Sequence, residues 1–291
     1  MRFIRYHADG GTRVGVVESD MVIDPWTGMA DAPTDIGDLV RRGGDALKAA
    51  AEAVRSASAK SGIPMADVRC AVPVDNARKF ICLGLNYADH VAESTHAAPK
   101  HPILFMRAPT SLLAHGEPMI RPSVSDNLDY EAELAVVIGR KMRHVTPEQA
   151  LQGVAGYTCF NDGSVRDYQK HSIQWTMGKN FDATGGFGPV FVTADELPPG
   201  ASGLKIEARV NGEVRQSNNT SNMIFNVADS ISYISRGVTL EPGDVIAMGT
   251  CSGIAAAFNP PKWLRPGDVV EIEIEGIGIL RNTVADEALS K

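Results

Sequence analysis

Glu131 and Glu133 stand two residues apart in DYEAELAVVIG, an apolar run with the composition of a strand. Side chains at that spacing leave a strand on the same side. Two carboxylates on a buried face repel each other and are costly to desolvate unless a cation lies between them. A hard divalent ion is the cation that all-oxygen ligands suit best. The alternative is a polar face turned to water. EIEIEGIGIL repeats the spacing with Glu271, Glu273 and Glu275, which are expected to face solvent, so spacing alone does not separate the two readings. Context does: downstream, in CFNDGSVRDYQ, the apolar residues Thr158 to Phe160 stop at Asn161, and Asp162 sits where a strand opens into a loop. A third carboxylate there completes an open site, leaving about half of an octahedral Mg²⁺ or Mn²⁺ shell for water and substrate. Read without a metal, Asp162 would be a helix N-cap.

Three further groups could take part. In LGLNYADHVAES a short helix would put His90 and Glu93 on one face, and a carboxylate bonded to an imidazole orients the ring as a general base toward water. A surface pair without function has the same spacing. Lys179, in IQWTMGKNFDATGGFGP, lies between an aromatic segment and a Gly-rich loop, where an ammonium could meet a carboxylate or a developing enolate; a solvated loop lysine is the plainer reading. GTCSG, residues 249 to 253, follows an apolar strand and offers backbone N–H groups and the Thr250 hydroxyl to an anion, or is a tight turn only.

The elements that must position these groups are mostly strands. KFICLG, ILFMR, EAELAVVIG, GVAGYTCFND, LKIEARVNG, DVIAMGT and DVVEIEIEGIGILRNTV all read as such. Helices are expected over HVTPEQALQG, with Thr146 capping, Pro147 at the first position and Gln149 closing the box, and over NVADSISYISRG, ending on Gly237. Before them, MRFIRYHADGGTRVGVVESDMVIDP alternates like paired strands, and DIGDLVRRGGDALKAAAEAVRSA is Ala-rich and helical. This predicts a small N-terminal domain over 1–72 and a larger one over 73–291. EPGDVIAMGT and RPGDVVEIEIEG share a Pro-Gly-Asp-Val turn into a strand, without forming a repeat.

Composition sets the limits. The 291 residues can bury a sizeable core, and 44% hydrophobic with 22% charged residues excludes a disordered chain or a disulfide scaffold. A net charge of -7 without a Lys/Arg cluster argues against a nucleic-acid partner. Cys70, Cys82, Cys159 and Cys251 are scattered, so buried reduced thiols are expected, not a zinc site. MRFIRYHADG lacks an apolar core of signal-peptide length, and no apolar run is long enough to span a bilayer; a cytoplasmic protein with no membrane partner is expected.

Taken in order, GLNYADHVAES, PILFMRAPTSL, DYEAELAVVIG, NDGSVRDYQ, QWTMGKNFD, GPVFVT, VNGEVRQ, PGDVIAMGT and PGDVVEIEIEGIGILRN resemble the fumarylacetoacetate hydrolase family across roughly residues 75 to 287. The resemblance implies an α+β, mainly β fold: a rolled β-sheet catalytic domain behind a small N-terminal α/β domain, usually a homodimer. It implies that Glu131, Glu133 and Asp162 hold Mg²⁺ or Mn²⁺, that His90 and Glu93 form a water-activating dyad on a lid, and that Lys179 stands beside the metal. Arg166, Gln169 and Thr250 match positions lining the substrate site. Two departures touch that site. The familiar lysine of an FxKP-like stretch is Arg107 here, a substrate-site residue with changed reach, and the loop usually written GTPxGVG is GTCSGIAAAF.

The implied activity is hydrolysis of a carbon–carbon bond in a 2,4-diketo acid of the acylpyruvate or fumarylpyruvate type, as in aromatic catabolism. His90 would deprotonate water, hydroxide would attack the distal carbonyl, and the departing enolate would be met by Lys179. The products would be a 2-oxo acid and a carboxylic acid. Decarboxylation of an oxaloacetate-like acid, or isomerisation of a 2-hydroxy-dienedioate, runs through the same enolate and is the alternative; a non-catalytic metal-binding protein is a further one.

Overall fold

Every residue of the strand Ala132–Ile138 is buried, and its side chains alternate between two cores. Leu134, Val136 and Ile138 enter one apolar cluster, and Ala135 and Val137 enter another. A strand apolar on both faces belongs inside a sheet that is covered on both sides. The computed structural model describes residues 1–56, 62–75, 77–94 and 97–288, and in it Ala132–Ile138 lies between Val154–Asp162 and Val245–Thr250 in a twelve-stranded mixed sheet.

From one edge that sheet runs Ile63–Pro64, Met21–Ile23, Gly11–Glu18, Arg2–Ala8, Val190–Thr193, Val154–Asp162, Ala132–Ile138, Val245–Thr250, Phe80–Gly84 and Ile103–Met106, with Gly185–Phe187 and Leu112–Leu113 branching from it. A second sheet of five strands, Glu213–Asn219, Lys205–Val210, Val269–Ile274, Gly278–Asp286 and Met119–Arg121, supplies Ile206, Ile272 and Leu280 to the first core. Helix Val227–Gly237 adds Ile231 and Ile234 to it. The other core is covered by Leu39 of helix Ile36–Arg41 and Val54 of helix Gly44–Ser56. This is the α+β, mainly β architecture expected.

The N-terminal strands join the same sheet. Arg2–Ala8 pairs antiparallel with Val190–Thr193, with Phe3 opposite Phe191, so hydrogen bonds cross between residues 1–72 and the rest. The Ala-rich segment is helical as expected, in the two helices named above with a break at Arg42–Gly43, and its last residue, Ala57, lies outside the described residues. Pro147–Ala150 starts as expected, with Gln149 Oε1 accepting the Thr146 N–H at 3.1 Å, and tightens into a 3-10 turn at Leu151–Gly153. Glu271 and Glu273 lie half-exposed on the second sheet, both paired to Arg209, as a solvent-side ladder should be.

Candidate metal centre

Three strand ends converge on one point. The antiparallel pairing sets Glu133 opposite Phe160, and on its other side opposite Thr250. The start of one strand therefore meets the ends of two others. Glu131, Glu133 and Asp162 are buried there, at 4%, 1% and 0% exposure, with ligand oxygens all within 4.8 Å of one another. Backbone bonds fix the geometry: Asp162 N–H donates to the Glu131 carbonyl at 3.0 Å, and Glu131 N–H to Asn161 Oδ1 at 2.9 Å. Between Glu133 and Ala135 the pairing with Val245–Thr250 slips at a bulge containing Gly249. Gly249, at φ +84, turns its N–H onto Glu133 Oε2 at 3.0 Å; a side chain there would be strained and would meet Asn86 Cβ at 2.7 Å.

The carboxylates are unequally compensated. Lys179, the last residue of helix Thr176–Lys179, donates to Glu131 Oε2 and Asp162 Oδ2, each at 2.6 Å. Arg166 donates to Glu131 Oε1 at 2.6 Å, to Asp129 Oδ2 at 2.8 Å and to Gln169 Oε1 at 2.9 Å. Burial alone would raise the Glu131 pKa, but the Lys179 and Arg166 charges overcome it and hold that carboxyl far below the usual range. Lys179 is pushed up despite burial, because Asp162 and Glu131 face it, and so stays an ammonium. Glu133 receives the Gly249 N–H and no side-chain ion pair among the described residues. Burial first, then Asp162 and Glu131, push its pKa well up.

Four buried carboxylates, counting Asp129, thus face three buried cations, Arg107, Arg166 and Lys179. A hard dication against Glu133 fits this donor set: it would meet only oxygens and supply the cation that Glu133 needs to stand as a carboxylate. Lys179 is therefore no solvated loop residue.

His90 and Glu93 share a face of helix Ala88–Glu93, with Nδ1 and Oε1 2.8 Å apart. Nε2 has no hydrogen-bond partner among the described residues. His90, Glu93, Glu131, Glu133, Arg166, Gln169, Lys179 and Thr250 all border one cavity of about 880 Å³. Leu85, Phe105, Trp175 and Ile254 give it apolar walls.

Arg107 and Thr250, both expected to line the substrate site, have their polar groups engaged by other protein groups. Arg107 is absent from the cavity wall: its fully buried guanidinium reaches Asp162 Oδ1 at 2.5 Å, the Gly163 carbonyl at 3.0 Å and Thr184 at 2.8 Å. The departure from lysine therefore acts on the Asp162 carboxylate from behind, since the planar fork suits several acceptors at once. Thr250 borders the cavity, but its hydroxyl proton goes to the Ala132 carbonyl at 2.9 Å and its oxygen accepts from Gln216 at 2.8 Å.

Asp129 was not singled out in the sequence. It accepts from Tyr130 N–H at 2.8 Å, Ala255 N–H at 2.7 Å and Ala256 N–H at 3.1 Å besides Arg166, tying the altered loop to the residue that holds Glu131. The signal was present, because Asp129 continues the same alternation two positions before Glu131. Gln216 and Trp175 gave none.

Residues 79–285 match the family described as Fumarylacetoacetate (FAA) hydrolase C-terminal. The chain is 39% identical over 264 residues to the oxaloacetate tautomerase Fahd2a, mitochondrial, of Rattus norvegicus, covering 90% of this chain and 83% of that protein. Fumarylacetoacetate hydrolase (EaFAH) from psychrophilic Exiguobacterium antarcticum superposes with a TM-score of 0.85 at 38% identity, over 99% of this chain and all (100%) of that one. Maleylpyruvate hydrolase from Sphingobium sp. SYK-6, in complex with manganese (II) ion and pyruvate, gives 0.81 at 26% identity, again over 99% and 100%.

Proposed function

The chain belongs to the fumarylacetoacetate hydrolase family, and from that premise we propose that it interconverts the enol and keto forms of a small 2-oxo dicarboxylic acid of the oxaloacetate class, with Mg²⁺ or Mn²⁺ on Glu131, Glu133 and Asp162. The observation that carries this is a fixed ammonium, Lys179, and an imidazole, His90, whose Nε2 has no partner among the described residues, both on the walls of the cavity that Glu131 and Glu133 border. The likeness to an oxaloacetate tautomerase supports it. Hydrolysis was the leading expectation from sequence; proton transfer alone asks less of the same groups.

When bound, the divalent ion supplies Lewis-acid polarisation of the 2-carbonyl. The residues do the rest. Lys179, held by two carboxylates, presents a charge to the oxygen that becomes an enolate. The enol loses its hydroxyl proton to solvent on binding, His90 delivers a proton from Nε2 to C3, and a C–H bond forms as the C2–O bond regains its double character. His90 then recovers a proton from water. Glu93 keeps the ring turned by accepting from Nδ1. The apolar walls limit water at the enolate carbon.

The test is the decay of enol absorbance on adding enolic oxaloacetate to the purified protein with Mg²⁺ or Mn²⁺. Catalysed decay that disappears with chelator and in His90→Ala supports the reading; decay at the uncatalysed rate with both metals sinks it. A second reading, hydrolysis of an acylpyruvate, is favoured by the His90–Glu93 pair, which could equally take a proton from water, and by the likeness to a maleylpyruvate hydrolase. Release of a carboxylic acid from acylpyruvate, absent in His90→Ala, would select it.

A further inference from the structure

Asp89 sits in the first turn of helix Ala88–Glu93, beside His90, and has no part in the chemistry above. Its carboxylate is held by neutral donors from two other segments. Oδ1 accepts the His90 N–H at 2.9 Å. Oδ2 accepts from Asn218 Nδ2 at 2.6 Å, from the Ser252 hydroxyl at 2.7 Å and from the Ser252 N–H at 3.3 Å. One turn later Glu93 divides its oxygens, Oε1 on His90 and Oε2 accepting the Gly253 N–H at 2.8 Å. Both acidic side chains of the helix thus dock on Ser252–Gly253.

The anchor is itself fixed. Tyr130 Oη donates to the Gly253 carbonyl at 2.9 Å, and Asp129 holds the next turn through the Ala255 and Ala256 N–H groups. Asn218 is held by Asn222, whose Nδ2 donates to its Oδ1 at 2.8 Å. A helix of six residues cannot sustain itself in water, so its position is decided by tertiary contacts. Hydrogen bonds to a carboxylate are the stronger kind. The serine that supplies two of them stands in the loop that departs from the usual GTPxGVG.

We propose that Asp89 is a positioning residue: with Ser252 and Asn218 it latches the helix carrying His90 to the loop after Thr250, and so keeps the imidazole at the wall of the cavity that Glu131 and Glu133 border. The consequence for turnover rests on the reading of His90 as the proton carrier. The latch itself does not.

The test uses the full chain as Asp89→Asn, Ser252→Ala and the double variant. It reads amide hydrogen exchange over residues 87–94, Mn²⁺ affinity, and kcat and KM with enolic oxaloacetate. In D89N an amide meets the Ser252 and Asn218 donors. Exchange over the helix should rise about tenfold and kcat fall about tenfold, the loss of roughly one charge-assisted bond, while KM and Mn²⁺ affinity stay within about twofold. S252A should show a smaller change of the same kind, about threefold, and the double variant no more than D89N, because both cut one latch. Unchanged exchange in D89N and S252A overturns the proposal, as does a fall in kcat without a rise in exchange, or additive effects in the double variant. If D89N does not fold, S252A, which removes one hydroxyl, decides by its exchange. A wild-type protein inert toward oxaloacetate would sink the proposed function and leave the exchange measurement to decide on the latch.

Discussion

Arg107 meets Asp162 at 2.5 Å with both side chains fully buried, on the carboxylate oxygen that Lys179 does not use. Removing Arg107 leaves the buried Asp162 with Lys179 alone, a cation it shares with Glu131. Arg107→Ala is expected to destabilise the protein by about 3–5 kcal/mol, and Arg107→Lys, which keeps the charge but not the fork, by about 1–3 kcal/mol. Urea unfolding checks both, and Mn²⁺ affinity should weaken in step as Asp162 loses its backing. An R107A midpoint equal to wild type would show that Asp162 is held without it.

Glu131 and Glu133 should answer differently to neutralisation. In the metal-free protein Glu131 offsets Lys179 and Arg166, so Glu131→Gln leaves buried cations undercompensated and should lower the melting temperature. Glu133 is held by one backbone N–H and faces two other carboxylates. Glu133→Gln should therefore leave the metal-free melting temperature unchanged or raised. Both variants should lose the rise in melting temperature that added Mn²⁺ gives the wild type, since that rise is binding to the folded state only. A metal-free E133Q protein much less stable than E131Q would contradict this division of charge.

The parts of this site legible in the sequence were those that a local pattern marks, Asp162 among them at the end of its own strand. Alternation in DYEAELAVVIG put two carboxylates on a side, and an i, i+3 spacing put His90 with Glu93. What stayed hidden depends on distant segments brought together. No local pattern tells that Arg107 sits behind Asp162, that Asp89 reaches Ser252, or that strand Arg2–Ala8 extends the sheet past Val190–Thr193. From its own segment alone Lys179 was ambiguous, and only the family resemblance put it beside the metal, because its partners, Glu131 and Asp162, lie on two strands outside that segment. The strands themselves were legible because a two-residue period needs only neighbours.

Gly84 ends its strand against the Trp175 indole, and a Cβ there would overlap the six-membered ring. Trp175 in turn packs edge-on against Phe105, with centroids 5.6 Å apart, and both border the cavity. Gly84→Ala should displace the indole and reshape that wall. The expected outcome is a shift in tryptophan emission and a loss of about tenfold in kcat/KM, with overpacking costing about 1–3 kcal/mol of stability. Retained emission and kinetics would show that the wall yields freely.

Alkaline pH should unfold the protein through its buried acids. All four thiols are buried and free. Burial pushes Cys70 up from 9.0 to about 11, and Cys159 and Cys251 up to about 12. Burial likewise moves the Tyr157 phenol from 10.0 to about 12. The folded state keeps these protons while the unfolded chain releases them. Their contribution is therefore fully present below pH 9 and declines as pH rises toward 12, by about 1.4 kcal/mol per pH unit for each group ionised only when unfolded. Urea midpoints should fall across that window, and Cys159→Ala should flatten the fall by its own share. Within the folded protein at pH 8 the same thiols are protonated and enclosed, so a disulfide reagent should label none of them until denaturant is added. Rapid labelling of Cys251 in the native protein would mean that the loop after Thr250 opens far more often than its bonds to Asp89, Glu93 and Asp129 imply.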